Sequence, residues 1–163
     1  MRRPTLVLVL TLALLAPLVA PGAARAAVPT CGGLTATKWK PDAVVNGVAQ
    51  FNGTTGRDVI VGTIGPDAIS TAAPNGNDDA GDYVCGRGGN DRINTYAGPD
   101  RVWAGAGDDD VYTGPGADVV RGGPGVDELG GQGGNDVLHG GSENDLLDGQ
   151  DGDDTLLGQD GND

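Results

Sequence analysis

The chain has 163 residues, a net charge of −13, a single phenylalanine and about one residue in five as glycine. By composition alone it reads as disordered, since so few large apolar side chains cannot offset the entropy of ordering a chain. Its acidity repels nucleic acid and anionic membrane surfaces and excludes both as expected partners.

The N-terminus reads as a targeting signal. Arg2 and Arg3 form a basic start, Leu6 to Ala20 is an apolar run, and Ala24-Arg25-Ala26 fits an A-x-A cleavage site. The run is short for a membrane span and is soon followed by Pro and Gly, so membrane insertion is not expected. Residues 1–26 are therefore assigned as a signal peptide and the protein as secreted and extracellular, with a retained anchor as the alternative. Removing Arg2, Arg3 and Arg25 leaves 7 basic residues against 23 acidic, a net charge of −16. Two cysteines, Cys31 and Cys85, suggest one disulfide in such a compartment, free thiols being the alternative. Residues 27–52, with Trp39 and Val44-Val45, form an N-terminal segment that either caps the chain beyond residue 52 or is a flexible leader.

From residue 53 the chain is periodic. Stepping back by nine from Asp163 gives Asp154, Asp145, Asp136, Asp127, Asp118, Asp109, Asp100, Asp91 and Asp82. Two residues after each Asp except the last stands an aliphatic residue, from Val84 to Leu156. Two residues before most of them stands Gly, with Ala80 and Glu143 as exceptions. Two further units, "GTTGRDVIV" and "GTIGPDAIS", carry Asp58 and Asp67, and the insertion "TAAPNG" at 71–76 separates them from the rest. Aspartate thus fills the same slot twelve times in twelve units. Internal periods of this kind define repeat architectures.

The pattern G-G-x-G-x-D-x-U-x, clearest in "GGPGVDELG" and "GGQGGNDVLHGG", resembles the RTX (haemolysin-type) calcium-binding repeat over residues 53–163. The resemblance implies an all-β, right-handed parallel β-roll, a calcium-binding solenoid with the ions held in its turns. The residues read independently in the same direction. Six turn-forming positions precede a three-residue strand whose middle side chain points inward. Two units make one coil, so equivalent aspartates recur about every 4.8 Å. A cation between two layers then lies about 2.4 Å from each, which suits Ca²⁺ better than the shorter, strictly octahedral bonds of Mg²⁺.

The expected metal ligands are Asp82, Asp100, Asp118, Asp136 and Asp154 on one edge and Asp91, Asp109, Asp127, Asp145 and Asp163 on the other. Backbone carbonyls complete each site, giving up to about eight Ca²⁺ ions. Asp58 and Asp67 are weaker candidates, because the insertion obscures their alignment. Thr95, Ala104 and Thr113 replace the opening Gly of their units, and Glu143 replaces a turn Gly, so its unit is expected to be strained or to gain a carboxylate. The solitary His139 falls in an outward slot, and no catalytic residue is assigned. The function expected is that of a secreted, non-enzymatic calcium-binding protein that folds on binding the ions. The alternative is a calcium-rigidified adhesion module whose outer face, with Arg101, Trp103 and Arg121, binds a cell-wall polymer or a protein.

Overall fold

A computed structural model describes residues 30–38, 43–45, 48–72 and 80–163. The expected signal peptide, Trp39 and most of the insertion lie outside the described residues. Fifteen strands and no helix occur among them. Short strands β1 (Thr30–Cys31) and β2 (Leu34–Thr35) form a hairpin, and β3 (Ala43–Val45) pairs antiparallel with β4 (Val48–Asn52). Then follow β5 (Val59–Val61), β6 (Asp67–Ser70), β7 (Tyr83–Gly88), β8 (Arg92–Asn94), β9 (Arg101–Ala106), β10 (Asp110–Pro115) and β11 (Val119–Pro124). The last four are β12 (Glu128–Gly133), β13 (Val137–Ser142), β14 (Leu146–Asp151) and β15 (Thr155–Asp160).

Two parallel sheets result. One runs β14-β12-β10-β8-β6-β4, with β3 on its outer edge, and the other runs β15-β13-β11-β9-β7-β5. Each strand pairs with the strand two units away, so Val120 lies between Val102 and Leu138, an offset of eighteen residues. This is the β-roll expected from the period. The strands are longer than the three residues anticipated, because the ladder resumes beyond the inward position. In β9, for example, Gly105 and Ala106 still pair with Arg87 and Gly88. The neighbouring layer supplies hydrogen-bond partners to residues with no strand propensity of their own, so tertiary context overrides local preference.

The inward residues form two columns. Phe51, Ile69, Ile93, Val111 and Leu129 line one sheet, and Ile60, Val84, Val102, Val120 and Leu138 line the other, all 3% exposed or less. Leu147 and the 45% exposed Leu156 end the columns. Phe51 belongs to a coil that the Asp period does not reveal. In β4, Ala49 occupies the Asp slot opposite Asp67, and Phe51 faces Ile69. Across the insertion the offset rises to twenty-four residues, with Val59 opposite Tyr83 and Ala68 opposite Arg92, so the extra six residues are absorbed without loss of register.

Cys31 and Cys85 form the expected disulfide, 54 residues apart. Cys31 packs with Ala36, Val59 and Val61 against Tyr83, Cys85 and Trp103, which fixes the β1–β2 hairpin on the outer face of the second sheet. Gly32 crosses so close to the rings of Trp103 and Tyr83 that a side chain there would collide with the indole. Arg101 donates to the Tyr83 hydroxyl at 3.0 Å, and both Arg57 and Arg101 lie over the tyrosine ring. Closing a loop of this length removes about 4 kcal/mol of unfolded-state entropy on the chain-entropy model. Replacing both cysteines by serine is therefore expected to lower calcium-bound stability by about that amount in a urea titration. A change below about 1 kcal/mol would show that the hairpin adds little to the roll.

Candidate metal centre

The turns carry the aspartates along the two edges between the sheets. On the first edge the amide N–H of Asp58, Asp82, Asp100, Asp118 and Asp136 each donates to Oδ1 of the Asp one layer on, at 2.7–2.9 Å. On the second edge Asp67, Asp91, Asp109, Asp127 and Asp145 do the same, ending on Asp163. All twelve predicted aspartates thus join two continuous ladders, five rungs each. Asp58 and Asp67 align with the others despite the insertion.

The rung uses only one oxygen of each carboxylate. Oδ2 of Asp91, Asp100, Asp109, Asp118, Asp127, Asp136 and Asp145 is buried and receives no donor from the protein. Seven carboxylate oxygens out of water with no hydrogen or cation facing them would be a large desolvation cost. Burial, reinforced by the next Asp in the ladder, pushes Asp91 up to about 8, and burial with the Asp118 and Asp82 charges does the same to Asp100. Asp109 is raised to about 7, and Asp118 and Asp127 to about 6, again chiefly by burial. A proton or a cation has to supply the missing positive charge.

The glycine opening most units shows which. A Cβ at Gly122 would stand under 3.0 Å from both Asp127 Oδ2 and the Gly140 carbonyl oxygen. One at Gly140 would meet Asp145 Oδ2 and the Gly158 carbonyl in the same way, and one at Gly86 would meet Asp91 Oδ2 and the Ala104 carbonyl. A carboxylate oxygen and a carbonyl oxygen from adjacent layers converge on the volume that glycine leaves open. Such mixed oxygen sets, at about 2.3–2.6 Å from the ion, are what Ca²⁺ takes. Among the described residues no three His, Cys, Asp or Glu side chains gather as a metal cluster. The donor set is therefore rich in carbonyls, and Ca²⁺ when bound would supply the charge that the buried Oδ2 atoms lack.

Several features escaped sequence reasoning. From residue 86 onward the second position of the unit adopts a positive-φ backbone, taken by Gly105 (φ 128°), Gly114 and Gly123 but also by Arg87, Tyr96, Gln132, Gln150 and Gln159. Non-glycine residues there cost about 1–2 kcal/mol each, and the slot is legible only from the three-dimensional turn. Glu143 is in the same region (φ 80°), and its Oε2 accepts from the Gly125 amide and the Ser142 hydroxyl. The expected local strain is present, and the Glu143 carboxylate is held by these two donors. The outer faces follow the register. Arg92 pairs with Asp110 at 3.0 Å, and His139 stands in an outward column between Arg121 and Leu157.

This geometry, two parallel sheets joined by glycine-rich turns with stacked aspartates, defines a parallel β-roll of calcium-binding type. The model of the RTX calcium-binding nonapeptide repeat matches the chain four times, over residues 52–73, 86–120, 111–138 and 130–163. The chain belongs to this family, which accounts for most of its length and for calcium as its partner. No curated protein and no solved structure matches it.

The raised carboxylate values have a testable sign. In the metal-free roll a group such as Asp100, raised from 3.8 to about 8, is protonated in the folded state while still ionised in the unfolded one. Its stabilising contribution is complete below about pH 4 and is lost as the pH rises toward 8. In chelator, the β-sheet content that remains is therefore expected to be highest near pH 4 and to fall as the pH rises to 8. With calcium the slope reverses, because protons and the ion compete for the same oxygens. A far-ultraviolet β-sheet signal that rises with pH in chelator would contradict this account.

Proposed function

We propose that this is a secreted, non-enzymatic calcium-binding protein whose roll is completed by several Ca²⁺ ions along its two edges. The ions are held by Asp82, Asp91, Asp100, Asp109, Asp118, Asp127, Asp136, Asp145, Asp154 and Asp163 together with turn carbonyls. The observation that carries the reading is the row of buried Oδ2 atoms lacking any protein donor, those of Asp91, Asp127, Asp136 and Asp145 each beside a volume that an opening glycine leaves free. Secretion is supported by the basic start, the apolar run and the A-x-A site, and by a disulfide suited to an oxidising compartment. It would deliver the chain to a calcium-rich exterior. A non-enzymatic role is supported by the regularity of the turns and by the place of the single histidine in an outward column. Calorimetric titration of the chelator-treated protein tests the reading. Binding of several Ca²⁺ ions, with Mg²⁺ unable to replace them, is expected; no heat of calcium binding would overturn it.

A further inference from the structure

The twelve aspartates are equivalent in sequence but not in surroundings. Asp58 and Asp67 are bonded within their own turns. Thr54 donates its amide to Asp58 Oδ2 at 2.6 Å and its hydroxyl to Oδ1 at 3.1 Å. Thr63 does the same for Asp67, at 2.6 and 2.9 Å. These two carboxylates are buried, as the others are, yet their Oδ2 atoms have protein donors where those of Asp109, Asp127 and Asp145 have none. Gly62 leaves beside Asp67 the same opening that Gly122 leaves beside Asp127, so what separates the two is the Thr63 donors, N–H and O–H groups that do here what a cation would do further along.

Two other features set this end apart. Thr71, Thr95 and Thr113 are fully buried and form an internal ladder. The Thr71 hydroxyl donates to the Thr95 carbonyl at 2.6 Å, Thr95 to the Thr113 carbonyl at 3.3 Å, and Thr113 to the Gly131 carbonyl at 3.1 Å. Thr95 and Thr113 continue the ladder into the layers of Asp100 and Asp118, so of the three hydroxyls only that of Thr71 belongs to the first coils. The same layers hold Phe51, Ile60 and Ile69, and they are tied through Val59 and Val61 to the disulfide-pinned hairpin. The outer edge of β4 is covered by β3.

We propose that residues 48–71 form a metal-independent nucleus, with Asp58 and Asp67 acting as turn caps rather than ligands, onto which the calcium-dependent coils add toward residue 163. The inference rests on the calcium reading of the later coils. It converts a uniform repeat into a polar one, in which the disulfide-bonded end is standing before the ions arrive and offers β6 and β5 as templates for β8 and β7.

Hydrogen exchange on the full, disulfide-intact chain tests it, in chelator and at saturating calcium. In chelator, amides within 48–71 are expected to exchange at least about tenfold more slowly than those within 110–163, which gain protection only with calcium. Replacing both threonines, Thr54→Val with Thr63→Val, should cut the first coil's protection in chelator about tenfold, the loss expected for hydrogen bonds to a charged group. With calcium added, residues 110–163 of that variant should still become protected. In calorimetry Asp67→Asn should leave the number of ions bound unchanged, whereas Asp127→Asn reduces it. If all amides exchange together in chelator and become protected together with calcium, the nucleus is overturned and the calcium reading stands. If protection is identical with and without calcium, both fall. Loss of an ion in Asp67→Asn would overturn the cap assignment.

Discussion

Chelation is expected to abolish most of the β-sheet signal of the purified protein, and calcium to restore it cooperatively. The two inward columns are one side chain wide per sheet, a thin core for a chain of this length. What the core lacks, the ions supply by binding only the folded turns. At a hundredfold excess over its Kd, each filled site adds about 2.7 kcal/mol. Three or four sites therefore match the whole stability of an ordinary domain, about 5–15 kcal/mol. Circular dichroism during a calcium titration measures this. A far-ultraviolet spectrum that ignores both chelator and calcium would refute ion-coupled folding.

The second large effect concerns a single atom pair in the middle of an edge. Asp118 accepts the Asp100 amide on Oδ1, gives its own amide to Asp136, and keeps its Oδ2 buried without a donor. Asp118→Asn preserves the shape and the rung but places an amide nitrogen or a neutral oxygen where a cation needs charge. Because the carboxylate borders a gap on each side, the variant should lose two ions and about 5 kcal/mol of calcium-dependent stability. The calcium midpoint should rise accordingly, with fewer ions in calorimetry. Asp148→Asn, at an exposed outward position of β14 outside the two ladders, should leave the midpoint and the ion number nearly unchanged. Equal effects at the two positions would mean that the ladder does not hold the ions.

How much of this could be read beforehand depends on what the period encodes. The nine-residue spacing gave the pairing of units two apart, the two inward columns and the two rows of aspartates, because in a solenoid register follows directly from repeat length. It did not give the β4 coil, since Ala49 breaks the aspartate frame although Phe51 keeps the inward slot. Strand length was underestimated, because glycines that look like turn-formers are drawn into the ladder by the next layer. Thr54 and Thr63 of the first two complete units carry no signal in the linear pattern. Their meaning lies in distances to Asp58 and Asp67 that no linear spacing states. Likewise the hairpin settles on the face of Tyr83 and Trp103, a choice made by ring contacts and one disulfide.

The six-residue insertion has a practical consequence. On either side of it the rungs from Asp58 to Asp82 and from Asp67 to Asp91 are as short as any other, so the roll keeps its layers while its residue count changes. The segment between Thr71 and Ala80 is therefore a place where the chain tolerates length. A foreign peptide grafted there is expected to leave both aspartate ladders in register, and so to leave the calcium response of the scaffold unchanged.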